Sequence, residues 1–237
     1  MLEIIPIGKR EEDIDVDTDK KFYIENSIAD SIAKKYNYAI ENIVLKSKEE
    51  LVCFRHKDSY IVTPPDVVEY KLTKLFDDYR IGMCGLIGTI ALDRNCVWWQ
   101  GVPSAGGRYT YAEGNIIQGN ISEDLRLVEY PMSDHPGVYS HLATVDGCCM
   151  FFPRRIFEKG LRFDENLPGY HFYDADICLQ VLELGYKVST IDILVKHYSI
   201  GRMPSNFEDL KKIFFAKWDK KVHGEWPISR LSTFYKD

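Results

Sequence analysis

Val145-Asp146-Gly147-Cys148-Cys149-Met150-Phe151-Phe152-Pro153 opens the stretch that decides the fold. It runs on through Phe163-Asp164-Glu165 and Tyr170-His171-Phe172-Tyr173-Asp174-Ala175-Asp176-Ile177-Cys178-Leu179-Gln180. It continues with Leu184-Gly185-Tyr186-Lys187-Val188 and closes on Val195-Lys196-His197-Tyr198-Ser199. Asp174 to Gly185 has helical spacing and a glycine stop. Tyr186 to Val195 is apolar and β-rich, which predicts one strand or two. The order is therefore strand, helix, strand, with two acids at the start of the helix and a histidine delivered after the last strand.

Working outward, the same alternation recurs. Leu2 to Ile7 and Phe22 to Glu25 are strand candidates. Asn26-Ser27 can cap a helix whose apolar face is Ile28, Ile32, Ala33, Tyr36 and Ile40. Leu51 to Phe54 is a buried strand. Pro64-Pro65 opens a helix reaching towards Tyr79. Ile81 to Leu92 is a glycine-rich strand with a bulge. Pro103 to Tyr139 lacks clean periodicity and implies loops and short strands, and Asn206 to Trp218 is an amphipathic helix. Strands alternating with helices predict a single α/β domain over residues 1–237, with a mostly parallel central sheet flanked by helices. Such sheets hold ligands beyond the carboxyl ends of their strands.

Composition narrows the function classes. With 45% hydrophobic residues the chain is not disordered, and a net charge of −6 argues against a nonspecific nucleic-acid binder. The six cysteines sit in apolar runs without a CxxC pair, which reads as buried, reduced thiols. No apolar run approaches the ~20 residues of a membrane span, and Met-Leu-Glu-Ile-Ile-Pro-Ile is no secretory signal. A cytoplasmic protein is the expectation. The alternating Asp13, Asp15, Asp17 and Asp19 lack the glycine turn and terminal glutamate of a calcium loop, so they read as a solvated loop.

Three acids and a histidine carry chemistry. Asp58 follows a buried strand in Cys53-Phe54-Arg55-His56-Lys57-Asp58, where a carboxylate can bind a cation that holds a diphosphate, or can be a polar turn residue. His197 is either structural or a ligand, and imidazole suits Mn²⁺ better than Mg²⁺. Asp174 and Asp176 are spaced i, i+2, so they point different ways from a helix. One can face a cleft and accept a proton while the other caps or braces the helix. Trp98 and Trp99 can stack on a sugar, although adjacent strand residues face opposite sides, which leaves one of them in the core.

These residues resemble a GT-A-fold glycosyltransferase, close to the family 2 enzymes and the C-terminal part of the β-galactosyltransferases. The resemblance runs from Ile4-Ile5-Pro6-Ile7-Gly8-Lys9-Arg10 through Ala33 to Ile40, Phe54 to Asp58, Ile81 to Gly88 and Trp98-Trp99. It includes Val145-Asp146-Gly147, Phe163-Asp164-Glu165, Tyr173 to Asp176 and His197. It implies an inverting, metal-dependent transfer of a hexosyl or pentosyl group. The implied donor is a nucleotide-diphosphate sugar, UDP-linked, and the implied acceptor a hydroxyl of a glycan or other molecule. Asp174 falls on the catalytic base, and Asp58 and His197 fall on the ligands of Mn²⁺ or Mg²⁺. His56 stands where the first acid of the Asp-x-Asp motif is expected. Pro6, Gly8, Arg10, Asn26, Lys34, Asn37 and His56 fall around the nucleotide. Trp98, Trp99, Asp146, Gly147, His171 and Asp176 fall near the acceptor or sugar, with Asp176 alternatively supporting the site or its helix. Residues 1–97 form the nucleotide and metal half, 98–205 the acceptor and catalytic half, and 206–237 a helix and tail. Two rival readings are a noncatalytic nucleotide- or sugar-binding module on this fold and a nucleotidyltransferase. The latter calls for a Gly-rich phosphate loop that the N-terminal region lacks.

Overall fold

The computed structural model describes residues 1–8, 20–97, 112–119, 126–129, 138–199 and 203–229. Arg10, Trp98, Trp99 and the acids from Asp13 to Asp19 lie outside them. In chain order the described strands are β1 (Leu2–Pro6), β2 (Lys21–Ile24), β3 (Leu51–Arg55), β4 (Ser59–Ile61), β5 (Ile81–Gly85), β6 (Ile87–Thr89) and β7 (Ala91–Leu92). They continue with β8 (Ala112–Gln118), β9 (Arg126–Glu129), β10 (Thr144–Val145), β11 (Cys149–Pro153), β12 (Lys187–Thr190), β13 (Val195–His197) and β14 (Ile228–Ser229). The α-helices are α1 (Ile32–Ala39), which continues into a π-helical turn (Ile40–Val44), α2 (Pro65–Phe76), α3 (Arg155–Glu158), α4 (Tyr173–Glu183) and α5 (Phe207–Lys221).

The central sheet has the order β12-β5-β11-β3-β1-β2. Strands β1, β2 and β3 are parallel neighbours, as are β5 and β12, while β11 runs antiparallel to both β3 and β5. The α/β expectation holds, and the sheet is mixed. A second sheet, β10-β6-β8-β13-β4, is mostly antiparallel, and within it β13 pairs with β4. Two apolar cores cover the central sheet. One packs α1 and α4 through Tyr36, Phe54, Phe152, Phe163, Tyr173 and Leu179. The other packs α2 through Val68, Leu72, Ile81 and Phe151.

Two local elements differ from their expected form. The cap of α1 is Ser31, whose side chain accepts from the Lys34 N–H, and Ile28 is exposed outside the helix. The Ile81–Leu92 run is three short strands, because at Leu86 the chain leaves the central sheet for the second one. Helix α4 ends as read, with Gly185 past its last turn at φ +85°. All six cysteines are buried and free. Among the described residues no helix is long and apolar enough to cross a membrane.

Candidate active site and metal centre

The site is assembled by strand register. β4 begins just after the turn that follows β3, and β13 pairs with β4 so that His197 stands opposite Ser59, one residue from Asp58. The backbone N–H of Tyr198 donates to the Asp58 carbonyl at 2.9 Å, which pins the end of β13 to the turn. His197 Nε2 and Asp58 Oδ1 lie 3.6 Å apart, too far for a hydrogen bond. The rings of His56 and His197 have centroids 5.7 Å apart. One ligand atom from each of His56, Asp58 and His197 fits within a 4.8 Å span.

A divalent cation fits these residues. His197 is 8% exposed, yet its buried Nε2 has no hydrogen-bond partner among the described residues. A buried polar atom without a partner is costly, and a metal ligand is a standard resolution. Two imidazoles and one carboxylate favour Mn²⁺ or a related transition metal over Mg²⁺. Protonation is also suitable. Burial, then the neighbouring His197, hold the His56 pKa at about 4, so the ring is neutral near pH 7. For Asp58, burial is the largest influence and pushes upward. The His197 and His56 rings outweigh it, and its pKa is lowered.

The turn is braced from beneath. Arg55, 2% exposed at the end of β3, bonds Glu3 Oε2 through Nε at 2.8 Å. Its Nη1 donates to the Ser59 carbonyl at 2.6 Å and the His56 carbonyl at 3.4 Å. This positioning role escaped the sequence reading, although an arginine at the end of an otherwise apolar strand was the signal for it.

Beside the trio runs the Asp146-Gly147-Cys148 segment, held by the His56 N–H donating to the Cys148 carbonyl at 2.9 Å. The first residues of α4 lie against it. Tyr173, 1% exposed, brings its hydroxyl within 2.6 Å of His56 Nε2 and 3.0 Å of the Gly147 carbonyl. A Cβ on residue 147 would sit 2.2 Å from that hydroxyl, so the glycine is a space requirement. The Gly147 N–H donates to Asp174 Oδ2 at 3.0 Å, and the Ala175 N–H donates to Asp174 Oδ1 at 2.9 Å. Burial, then the charge of Asp146, raise the Asp174 pKa to about 7. A carboxyl poised near neutrality suits proton transfer. Phe172, just before α4, holds φ +66° and packs against Phe207 and Phe214, fixing where the helix starts.

Asp176 is corrected. It is 0% exposed and accepts from Trp218 Nε1 (2.9 Å) and Gln180 Nε2 (2.7 Å), with Lys217 Nζ at 2.6 Å. It locks α4 to α5 and is closed to an acceptor; the helix-supporting alternative is the one observed. Lys217 also reaches Asp164 at 2.7 Å.

The expected nucleotide residues divide. Pro6, Gly8 and Asn26 gather at the carboxyl ends of β1 and β2, where the Asn26 N–H donates to the Gly8 carbonyl. Lys35, which sequence reading passed over for Lys34, is buried there and donates to the Ile7 carbonyl and Asn26 Oδ1, both at 2.6 Å. Its burial follows from its place on the Ile32, Tyr36 and Ala39 side of α1. Lys34 pairs instead with Asp30 at 2.8 Å. The Asn37 side chain clamps the Phe163 backbone through both its oxygen and its nitrogen, at 2.9 Å each. Lys34 and Asn37 line an open cleft of about 680 Å³ with Asn26, Tyr38 and Arg162, and none of the metal trio lines it. His171 is half-buried, its ring edge-on to Phe207.

Comparison with known proteins agrees with this architecture. A structure of GalNAc-T7 with UDP, GalNAc and Mn²⁺ superposes with a TM-score of 0.52 at 12% identity, over 86% of this chain and 39% of that one. That likeness shows a shared GT-A fold. A197 from STIV gives a TM-score of 0.46 at 10% identity, over 84% and 85% of the two chains, too low to carry an argument. The "ATP synthase subunits region ORF 6" protein of Fuscovulum blasticum is 30% identical over 76 residues, 32% of this chain and 30% of that one. The aligned part thus spans about a third of that relative. A family model described as "Glycosyltransferase like family" matches residues 13–218. The chain belongs to this glycosyltransferase-like family.

Proposed function

We propose that the chain is an inverting, metal-dependent glycosyltransferase that moves a sugar from a nucleotide-diphosphate donor, UDP-linked, to an acceptor hydroxyl. The observation that carries the reading is the orphaned, buried Nε2 of His197 facing Asp58 at 3.6 Å, with His56 completing the set. The GalNAc-T7 structure held UDP, GalNAc and Mn²⁺, which supports the same ligand classes here.

Asp58, His197 and His56 would hold the cation. When bound, the cation supplies positive charge that offsets the charge developing on the leaving diphosphate. Asp174 takes the proton of the acceptor hydroxyl onto a carboxylate oxygen. The Gly147 and Ala175 N–H groups fix the orientation of that carboxylate. The hydroxyl oxygen then bonds to the anomeric carbon from the face opposite the departing nucleoside diphosphate. One such displacement inverts the anomeric centre. Pro6, Gly8 and Asn26 border the nucleotide, and Asp146, Gly147 and His171 border the acceptor side.

Thermal shifts with UDP-, GDP- and dTDP-sugars, each with and without Mn²⁺, test the proposal. A melting-point rise that needs both UDP and metal is expected. Asp174→Asn should keep that rise and lose transfer. A variant transferring at the parent rate removes Asp174 from the mechanism, and no response to any nucleotide removes the donor class.

A further inference from the structure

We infer that Tyr173 is a positioning residue that fixes the tautomer of His56, so that His56 offers Nδ1, and not Nε2, as its electron-pair donor. The inference rests on the metal-site reading above and adds a residue to it.

The Tyr173 hydroxyl has one proton and stands within hydrogen-bond distance of two groups, the Gly147 carbonyl at 3.0 Å and His56 Nε2 at 2.6 Å. A carbonyl can only accept, so the bond to Gly147 consumes the phenolic proton. The contact with His56 is then a hydrogen bond only if Nε2 carries a hydrogen and donates to the phenolic oxygen. A neutral imidazole protonated at Nε2 has its lone pair at Nδ1. The reverse assignment, with Tyr173 donating to Nε2, leaves the Gly147 carbonyl without this donor and places a hydrogen on Nδ1, which would block ligation there.

The surroundings make this arrangement rigid. Tyr173 is 1% exposed, and its ring packs edge-on to Tyr36 and against Phe163. The hydroxyl sits directly against the Gly147 backbone, so close that a Cβ there would lie 2.2 Å from it. The His56 backbone is tethered at the Cys148 carbonyl and its own carbonyl is held by Arg55. Hydrogen bonds to the far nitrogen of a ligating histidine typically set its tautomer, and losing one weakens metal binding roughly 10–100-fold.

The test begins without metal. Long-range ¹H–¹⁵N spectra of the ¹⁵N-labelled protein at pH 8 report which ring nitrogen carries hydrogen, and His56→Gln assigns the resonance by its loss. The parent should show His56 hydrogenated at Nε2 alone. Tyr173→Phe, which keeps the ring and its packing, should show a mixture of tautomers. In parallel, Mn²⁺ titration followed by electron paramagnetic resonance should show the variant's affinity reduced roughly 10–100-fold. A parent ring hydrogenated at Nδ1, or a variant that keeps the single tautomer, overturns the inference. Retention of the parent Mn²⁺ affinity by Tyr173→Phe overturns its consequence for the metal. A parent that binds no Mn²⁺ while showing the Nε2 hydrogen would refute the metal site and sustain the role of Tyr173. The two failures are therefore distinguishable.

Discussion

Replacing Asp174 by asparagine should make the stability of the protein change sign relative to the parent as pH rises. The Asp174 carboxyl is pushed from the usual carboxylate range to about 7, by burial first and by Asp146 second. Between pH ~4 and ~7 the folded parent therefore keeps a proton that the unfolded chain has released. Stability falls with pH across that window at up to ~1.4 kcal/mol per pH unit for this one group. The full span amounts to about 4 kcal/mol, and partial exposure of the side chain trims the expectation to ~2–4 kcal/mol. Asparagine cannot titrate and escapes this loss. It also has one oxygen where the carboxylate uses two, so either the Gly147 or the Ala175 N–H loses its acceptor, at ~1–2 kcal/mol. The variant should thus be less stable than the parent at pH 4.5 and more stable at pH 8, with transfer abolished throughout. Urea unfolding at half-unit pH steps, with a constant m value, measures the difference directly. Parallel stability profiles for the two proteins would refute the reasoning, because they would mean that Asp174 ionises alike in the folded and unfolded chains.

Other substitutions probe separate parts of the account. Gly147→Ala should destabilise by ~1–3 kcal/mol in urea, because its methyl collides with the Tyr173 ring and hydroxyl; an unchanged midpoint would contradict the close approach. Asp176→Ala should cost ~1–3 kcal/mol by removing the acceptor that Trp218 Nε1, Gln180 Nε2 and Lys217 share, with Lys217 keeping Asp164, while the acceptor KM of the folded protein stays at the parent value. A raised KM would restore Asp176 to the acceptor site. His197→Ala should abolish Mn²⁺ binding in calorimetry while costing only ~1–3 kcal/mol, the packing of its buried ring and its pairing with Asp58, since Nε2 bonds nothing among the described residues. A large stability loss would mark His197 as structural.

Some of this was legible in the sequence because the signals were local. Helix α4 announced itself by the spacing of Ile177, Cys178, Val181 and Leu182 and by Gly185, and its two opening acids diverge as i, i+2 positions must. Asp58 and His197 were visible as acid and imidazole beyond apolar runs. Their meeting depends on a three-residue pairing of β4 with β13, too short to leave a periodic signature. The cap of α1 was misplaced because Asn26-Ser27 and Asp30-Ser31 are equally good polar starts. Lys35 takes Asn26 at the strand ends, and the helix starts from Ser31. Lys34 and Lys35 are indistinguishable by residue type, and only the register of α1 against the sheet sends one to solvent and the other inside. Tyr173 carried no signal of its own in the sequence, because its role lies in a hydroxyl that meets residues far away along the chain.

The most direct test is anomalous diffraction at the manganese edge from crystals soaked in Mn²⁺ and UDP. One strong peak is expected beside an Asp58 carboxylate oxygen, His197 Nε2 and His56 Nδ1, with UDP next to it. UDP bound with no manganese at these three side chains, or manganese bound elsewhere in the molecule, would contradict it.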